Sequence, residues 1–98
     1  MAEIVWTESA LRELEDIADY IAVVNKKAAG RMISSVMQRV SHLKDFPESG
    51  RFPPETDSRL YRELVITPIR LFYRYSDNRV FIVHIMRAER ELRQYLLS

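Results

Sequence analysis

The residues with chemical potential in this 98-residue chain gather in its second half. Arg70, Arg74 and Arg87, together with Tyr61, Tyr73 and Tyr95, are the types that cleavage of RNA without a metal would use. Such cleavage needs a base for the 2′-hydroxyl, a cation for the developing charge and an acid for the leaving oxygen. Cations are in excess. No acid and base stand together at the end of the last apolar run, and these tyrosines read as β-propensity residues packing the sheet. His42, with Gln38, Arg39 and Asp45 around it, reads as an exposed helical histidine. His84, inside the apolar stretch Val80 to Met86, reads as half-buried and bonded to backbone rather than as a base. The histidines show no metal-ligand spacing, and the acids Glu15, Asp16, Glu89 and Glu91 read as surface charges. No catalytic residue and no metal site is assigned.

Composition narrows the classes further. The chain has no cysteine, which removes disulfides, thiolate nucleophiles and cysteine zinc sites. Its two glycines, Gly30 and Gly50, are too few and too far apart for a phosphate-cradling loop, so no nucleotide cofactor is expected. Uninterrupted apolar runs such as Ile21 to Val24 are far short of the roughly 20 residues that span a bilayer. Charges from Glu3 to Asp16 leave no room for a signal-peptide core. The expectation is one cytoplasmic domain over residues 1–98, with no membrane contact.

Net charge is only +1, but it is unevenly placed. Residues 1–49 hold six basic and eight acidic side chains, and residues 50–98 hold nine and six. Every basic residue in the second half is arginine, whose planar fork suits phosphate or carboxylate. Two readings stand at this point: a face that meets an acidic partner or nucleic acid, and arginines lining solvated strand positions.

The elements that must position these residues follow from hydrophobic period. Glu3 to Trp6 alternates as a short strand, and Thr7 then caps a helix with Glu8 in its first turn. Leu11, Leu14, Ile17, Ala18, Ile21 and Ala22 form one face of that helix, which the spacing ends near Val24. Ala29, Met32, Ile33, Val36, Met37, Val40, Leu43 and Phe46 continue as a second helix, terminated by Pro47. The short connection makes the two helices a hairpin. Gly30 inside the second helix suggests a close backbone approach. A proline-rich loop runs from Pro47 to Arg59, and then the period becomes two. Strands are expected at Leu60 to Ile66, Ile69 to Ser76 and Arg79 to Arg87, with a tight turn at Asp77-Asn78. Ile69, Leu71, Tyr73 and Tyr75 take the helix-facing side, leaving Arg70, Phe72 and Arg74 outward. From Ala88 onward the tail reads as a helical turn or a mobile end. The result is an α+β fold of order β-α-α-β-β-β, a small curled antiparallel sheet with an N-terminal helical hairpin on one face.

In this order and spacing several segments resemble the RelE/ParE superfamily of toxins from type II toxin-antitoxin systems. They are Val5-Trp6-Thr7, Leu14 to Ala22, Asp45-Phe46-Pro47-Glu48-Ser49-Gly50-Arg51, Tyr61 to Val65, Pro68 to Arg74 and Ile82 to Arg87. They cover nearly the whole chain and look most similar to the ParE branch. That branch implies growth arrest by poisoning DNA gyrase in its DNA-cleaved state, a place in plasmid maintenance, and neutralisation by a ParD-like antitoxin in a hetero-oligomer. Contact with DNA would be indirect, through gyrase or the antitoxin complex. The superfamily's other branch cleaves messenger RNA on ribosomes, and its members end the last strand with a His-Tyr or tyrosine-rich pair. Here the corresponding residues are Met86-Arg87-Ala88-Glu89-Arg90. Arg70 matches the arginine that nuclease members place on the scissile phosphate, but ParE-like members carry it too. Lys26 stands where many relatives open the second helix with proline.

The resemblance therefore implies binding rather than catalysis, with a ribosome-dependent messenger RNA interferase as the alternative and an inert antitoxin-binding member as a third class. Candidate gyrase contacts are Arg70, Arg74, Arg87, Arg90 and Arg93. An antitoxin segment folding across the hairpin and sheet gives Leu14, Ile21, Met37, Phe72 and Arg62 as its candidate contacts.

Overall fold

A computed structural model describes residues 1–92. The order is β1 (Glu3–Trp6), α1 (Glu8–Val24), α2 (Lys26–His42), β2 (Arg62–Ile66), β3 (Ile69–Ser76) and β4 (Arg79–Arg87). The expected β-α-α-β-β-β order and the α+β class hold.

Local chemistry explains the joints. Thr7 is extended, and its Oγ1 accepts from the Ala10 amide at 3.2 Å while donating to the Ile82 carbonyl at 2.7 Å. One hydroxyl thus caps α1 and ties it to β4. Asn25 closes α1 through its own N–H to Ile21 and opens α2 by accepting from the Ala28 amide at 3.0 Å. A single extended residue therefore joins the helices. Asp77 and Asn78 both have positive φ, 53° and 60°, as the tight turn between β3 and β4 requires.

α1 buries Ala10, Leu14 and Ala18, and α2 buries Ala29, Met32, Val36 and Val40. All of these but Ala29 pack with Leu64, Ile66, Ile69, Leu71, Tyr73, Val80, Ile82 and Ile85 of the sheet into one core. Each fully buried aliphatic side chain contributes about 1.5–3 kcal/mol to that core. Among the described residues no helix is long and apolar enough to cross a membrane.

Five details depart from expectation. The sheet order is β1-β4-β3-β2, and β1 pairs with β4 in parallel, so the sheet is mixed rather than wholly antiparallel. α2 ends at His42 rather than at Pro47; Phe46 is exposed and stacks its ring on His42 at 4.7 Å. β2 starts at Arg62, two residues after Leu60. A methyl at Gly30 would meet no atom within 4 Å, so that glycine marks no close approach. The close approach is at Gly50, where a Cβ would fall 2.6 Å from the Tyr73 hydroxyl and 2.9 Å from the Glu63 carbonyl.

The fifth departure concerns the outer sheet face. A register shift between Phe72 and Tyr73 interrupts the pairing of β3 with β4, and all residues from Ile69 to Tyr73 are buried. Phe72 is covered by Leu92, Tyr61, Val83 and Met86. Around Arg70 and Phe72 the face expected to stay open is covered by the chain's own loop and tail, whose Leu92 is buried while Glu89, Arg90 and Glu91 are exposed; Arg74 alone of the three expected there points outward.

Candidate functional site

Two neighbouring features hold most of the chemistry. The first is an ion-pair network centred on Arg70, which is 5% exposed rather than outward-facing. Glu63 on β2 lies diagonally across from Arg70 on β3, so that both side chains share the outer face. One Glu63 carboxylate oxygen accepts from Arg70 Nε and the other from Arg51 Nε at 2.9 Å. Arg51 and Glu63 also exchange backbone bonds of 3.0 and 2.7 Å, which fasten the loop to the sheet edge. Glu55 takes the far side of the guanidinium, accepting from Nη2 at 2.8 Å and Nη1 at 2.7 Å. Nη1 donates further to the Arg90 carbonyl at 2.9 Å. Four of the five guanidinium N–H donors are committed in this way. The bidentate bond to Arg70 holds the Glu55 carboxyl at about 2, against an ordinary 4.5, and the same pairing raises Arg70.

The second feature is a groove of about 470 Å³ between α1, the end of β4 and the tail. Glu13, Asp16 and Ile17 form the helical wall, with His84 to Arg87 and Arg90 opposite. His84 Nδ1 donates to Glu13 Oε2 at 2.6 Å, and the other oxygen accepts from the Ile85 amide at 3.0 Å. The ring stacks on Phe72, and its Nε2 is buried without a partner among the described residues. A carboxylate positions this imidazole as it would a general base, but the nitrogen that would act is sealed from solvent. The groove continues past Arg87, whose guanidinium lies 4.0 Å from the Tyr20 ring centre, to Ile17, Ile21 and Pro68.

The structure therefore separates the candidate arginines. Arg87 and Arg90 line the groove together, Arg74 is exposed on β3, Arg70 is enclosed, and Arg93 lies outside the described residues, as does Tyr95. Leu14 and Phe72 are core residues that present no surface, whereas Met37 is exposed and Ile21 half-buried. Arg62 is partly covered; its Nη1 donates to the Glu48 and Gly50 carbonyls, and it shares the Phe52 ring with Arg59. Sequence reading missed Glu13, Glu55 and Glu63 as partners. Glu63 carried a signal, since it is the one acid in a short strand whose following residues are all apolar; Glu55 lies in an irregular loop 15 residues from Arg70 and carried none. Among the described residues no three His, Asp or Glu side chains converge as a metal site.

The sequence and fold coincide with a known class. Residues 4–92 match the family model described as the ParE toxin of type II toxin-antitoxin systems, parDE. Toxin RelE2 of Caulobacter vibrioides is 38% identical over 91 residues, spanning 92% of this chain and 99% of the relative. Y4kP of Sinorhizobium fredii is 36% identical over 92 residues, 93% of each chain. In three dimensions the chain is similar to a structure titled as the chromosomal ParDE system from P. aeruginosa, with a TM-score of 0.73 at 23% identity, over 91% of this chain and 98% of that one. The chain belongs to the ParE toxin family of type II toxin-antitoxin systems.

Proposed function

We propose that this toxin acts by binding DNA gyrase and holding it in its DNA-cleaved state, and that a ParD-like antitoxin neutralises it. The observation that carries the choice between family activities is the enclosure of Arg70. An arginine meant for a scissile phosphate needs free donors, and this one has given four to Glu63, Glu55 and the Arg90 carbonyl. His84, the one imidazole beside the groove, keeps its free nitrogen buried. Neither supports cleavage of RNA by this chain. Arg87 and Arg90, with side chains along an open groove, are the arginines best placed to meet a large acidic target. The similarity to a chain of a ParDE system supports an antitoxin as the physiological partner.

The test incubates the purified chain with gyrase, relaxed plasmid and ATP, and reads supercoiling and protein-linked linear DNA on a gel. Lost supercoiling with linear product, reversed by the antitoxin, is the expected result. Unimpaired supercoiling by a chain that arrests growth when expressed overturns it, and directs the search to messenger RNA cut on translating ribosomes.

A further inference from the structure

The Arg70–Glu55 pair does more than neutralise a buried charge. Glu63 divides its carboxylate between Arg70 and Arg51, so Glu55 is the second acid of a two-arginine, two-carboxylate cluster. Glu55 adds a contact that Glu63 lacks: its Oε2 also accepts from the Leu92 amide at 2.9 Å. Arg70 Nη1 meanwhile donates to the Arg90 carbonyl. The pair therefore offers one donor and one acceptor to a carbonyl and an amide two residues apart, as a neighbouring strand would. The Leu92 side chain completes the seat by filling the space over Phe72, between Tyr61, Val83 and Met86. Two further backbone bonds, Ala88 N–H to the Pro68 carbonyl at 2.8 Å and Arg90 N–H to the Arg87 carbonyl at 3.1 Å, shape the turn between β4 and this seat.

We propose that Glu55 and Arg70 are positioning residues that seat the segment after β4 by its backbone, and so hold Arg87 and Arg90 in the geometry that meets the target. The second half of this statement rests on the reading of those two arginines as target contacts; the first does not. Recognition through backbone makes the seat tolerant of sequence at residues 88–91, and Leu92 supplies its side-chain anchor.

Trypsin digestion of the purified full chain tests the seat, with cleavage after Arg90 read by mass spectrometry against cleavage after exposed Lys27. Glu55→Ala should speed cleavage after Arg90 about tenfold relative to Lys27, which matches one lost hydrogen bond to a charged group. Glu55→Gln keeps an oxygen for the Leu92 amide and should speed it only about threefold. The concentration needed to inhibit gyrase should rise in the same order. Equal acceleration by both variants would mean that Glu55 only balances charge, and no acceleration would mean that it does not hold the segment; either result overturns the proposal. Faster cleavage with undiminished inhibition overturns the positioning of the arginines. A wild-type chain that leaves gyrase untouched while the cleavage pattern holds removes the target reading and retains the seat. Should Glu55→Ala fail to fold, Leu92→Ala leaves the ion pair intact and must also expose the Arg90 site; unchanged cleavage there overturns the proposal.

Discussion

Glu13 on α1 grips β4 at two points, taking the His84 ring N–H on one oxygen and the Ile85 backbone N–H on the other. No other described side chain of α1 makes a hydrogen bond of this kind to the sheet, so the helix is registered on β4 by this carboxylate at its middle and by Thr7 at its start. Glu13→Ala leaves a half-buried imidazole and an amide without their acceptor and should lower stability by about 1.5–3 kcal/mol. Glu15→Ala, on the exposed side of the same helix, should change it by less than about 0.5 kcal/mol. Urea unfolding of the two variants checks the contrast.

The two glycines should respond oppositely to alanine. At Gly50 a new methyl collides with the Tyr73 hydroxyl and the Glu63 carbonyl, both held in place, and a loss of about 1–3 kcal/mol is expected. At Gly30 the methyl enters open space within α2, where helix propensity favours it by about 1 kcal/mol. Thermal midpoints measured side by side should move down for Gly50→Ala and up for Gly30→Ala.

Tyr73 should make stability fall at alkaline pH. Its hydroxyl donates to the Pro47 carbonyl at 2.8 Å and accepts from the Gly50 amide at 2.9 Å, and burial pushes its ionisation above the ordinary 10.0. The unfolded phenol loses its proton first, so this part of the stability is complete below pH 10 and declines as pH rises beyond it. Tyr73→Phe should be less stable at neutral pH by about 1 kcal/mol and show a shallower alkaline decline in denaturant titrations.

Acid acts through Glu55. Its carboxyl is ordinary at 4.5 when unfolded and about 2 when folded, so its contribution is complete above 4.5 and lost as pH falls through 2. Allowing for solvent screening, the contribution is about 1–3 kcal/mol. Glu55→Gln should flatten stability across that window, and an unchanged acid limb in the variant would contradict the pairing with Arg70.

For function, the double variant Arg87→Ala/Arg90→Ala should raise the concentration for half-inhibition of gyrase about tenfold or more, as loss of charged contacts does. Arg12→Ala, which breaks only an exposed pair with Glu8 at 3.4 Å, should leave it unchanged. A supercoiling titration distinguishes them.

What the sequence made legible was what neighbours along the chain determine. Thr7 capping and the Asp77-Asn78 turn rest on residues within a few positions of one another, and the structure repeats them; the apolar stripe of α1 holds at Leu14 and Ala18, but Leu11 is exposed and Ala10 takes a buried place instead. Arg70 was misread because alternation assigns a face but says nothing of what covers it. Its enclosure depends on Glu55 and on the Arg90 carbonyl, 15 and 20 residues away, brought together by an irregular loop and a turn with no periodicity to read. The parallel place of β1 was hidden for the same reason, since a four-residue strand carries no mark of the partner 76 positions on.

That partner has a temporal meaning for a harmful protein. Among the described strands β1 pairs with β4 alone, the last strand in chain order, and α1 rests on β4 through Thr7 and Glu13. A nascent chain extending N to C would therefore hold β1 without its pairing strand, and α1 with only α2 to pack on, until β4 has emerged. The same late step that pairs β1 with β4 also sets Arg87 and Arg90 along their groove, so a fragment lacking β4 has neither the sheet's β1 edge nor that groove.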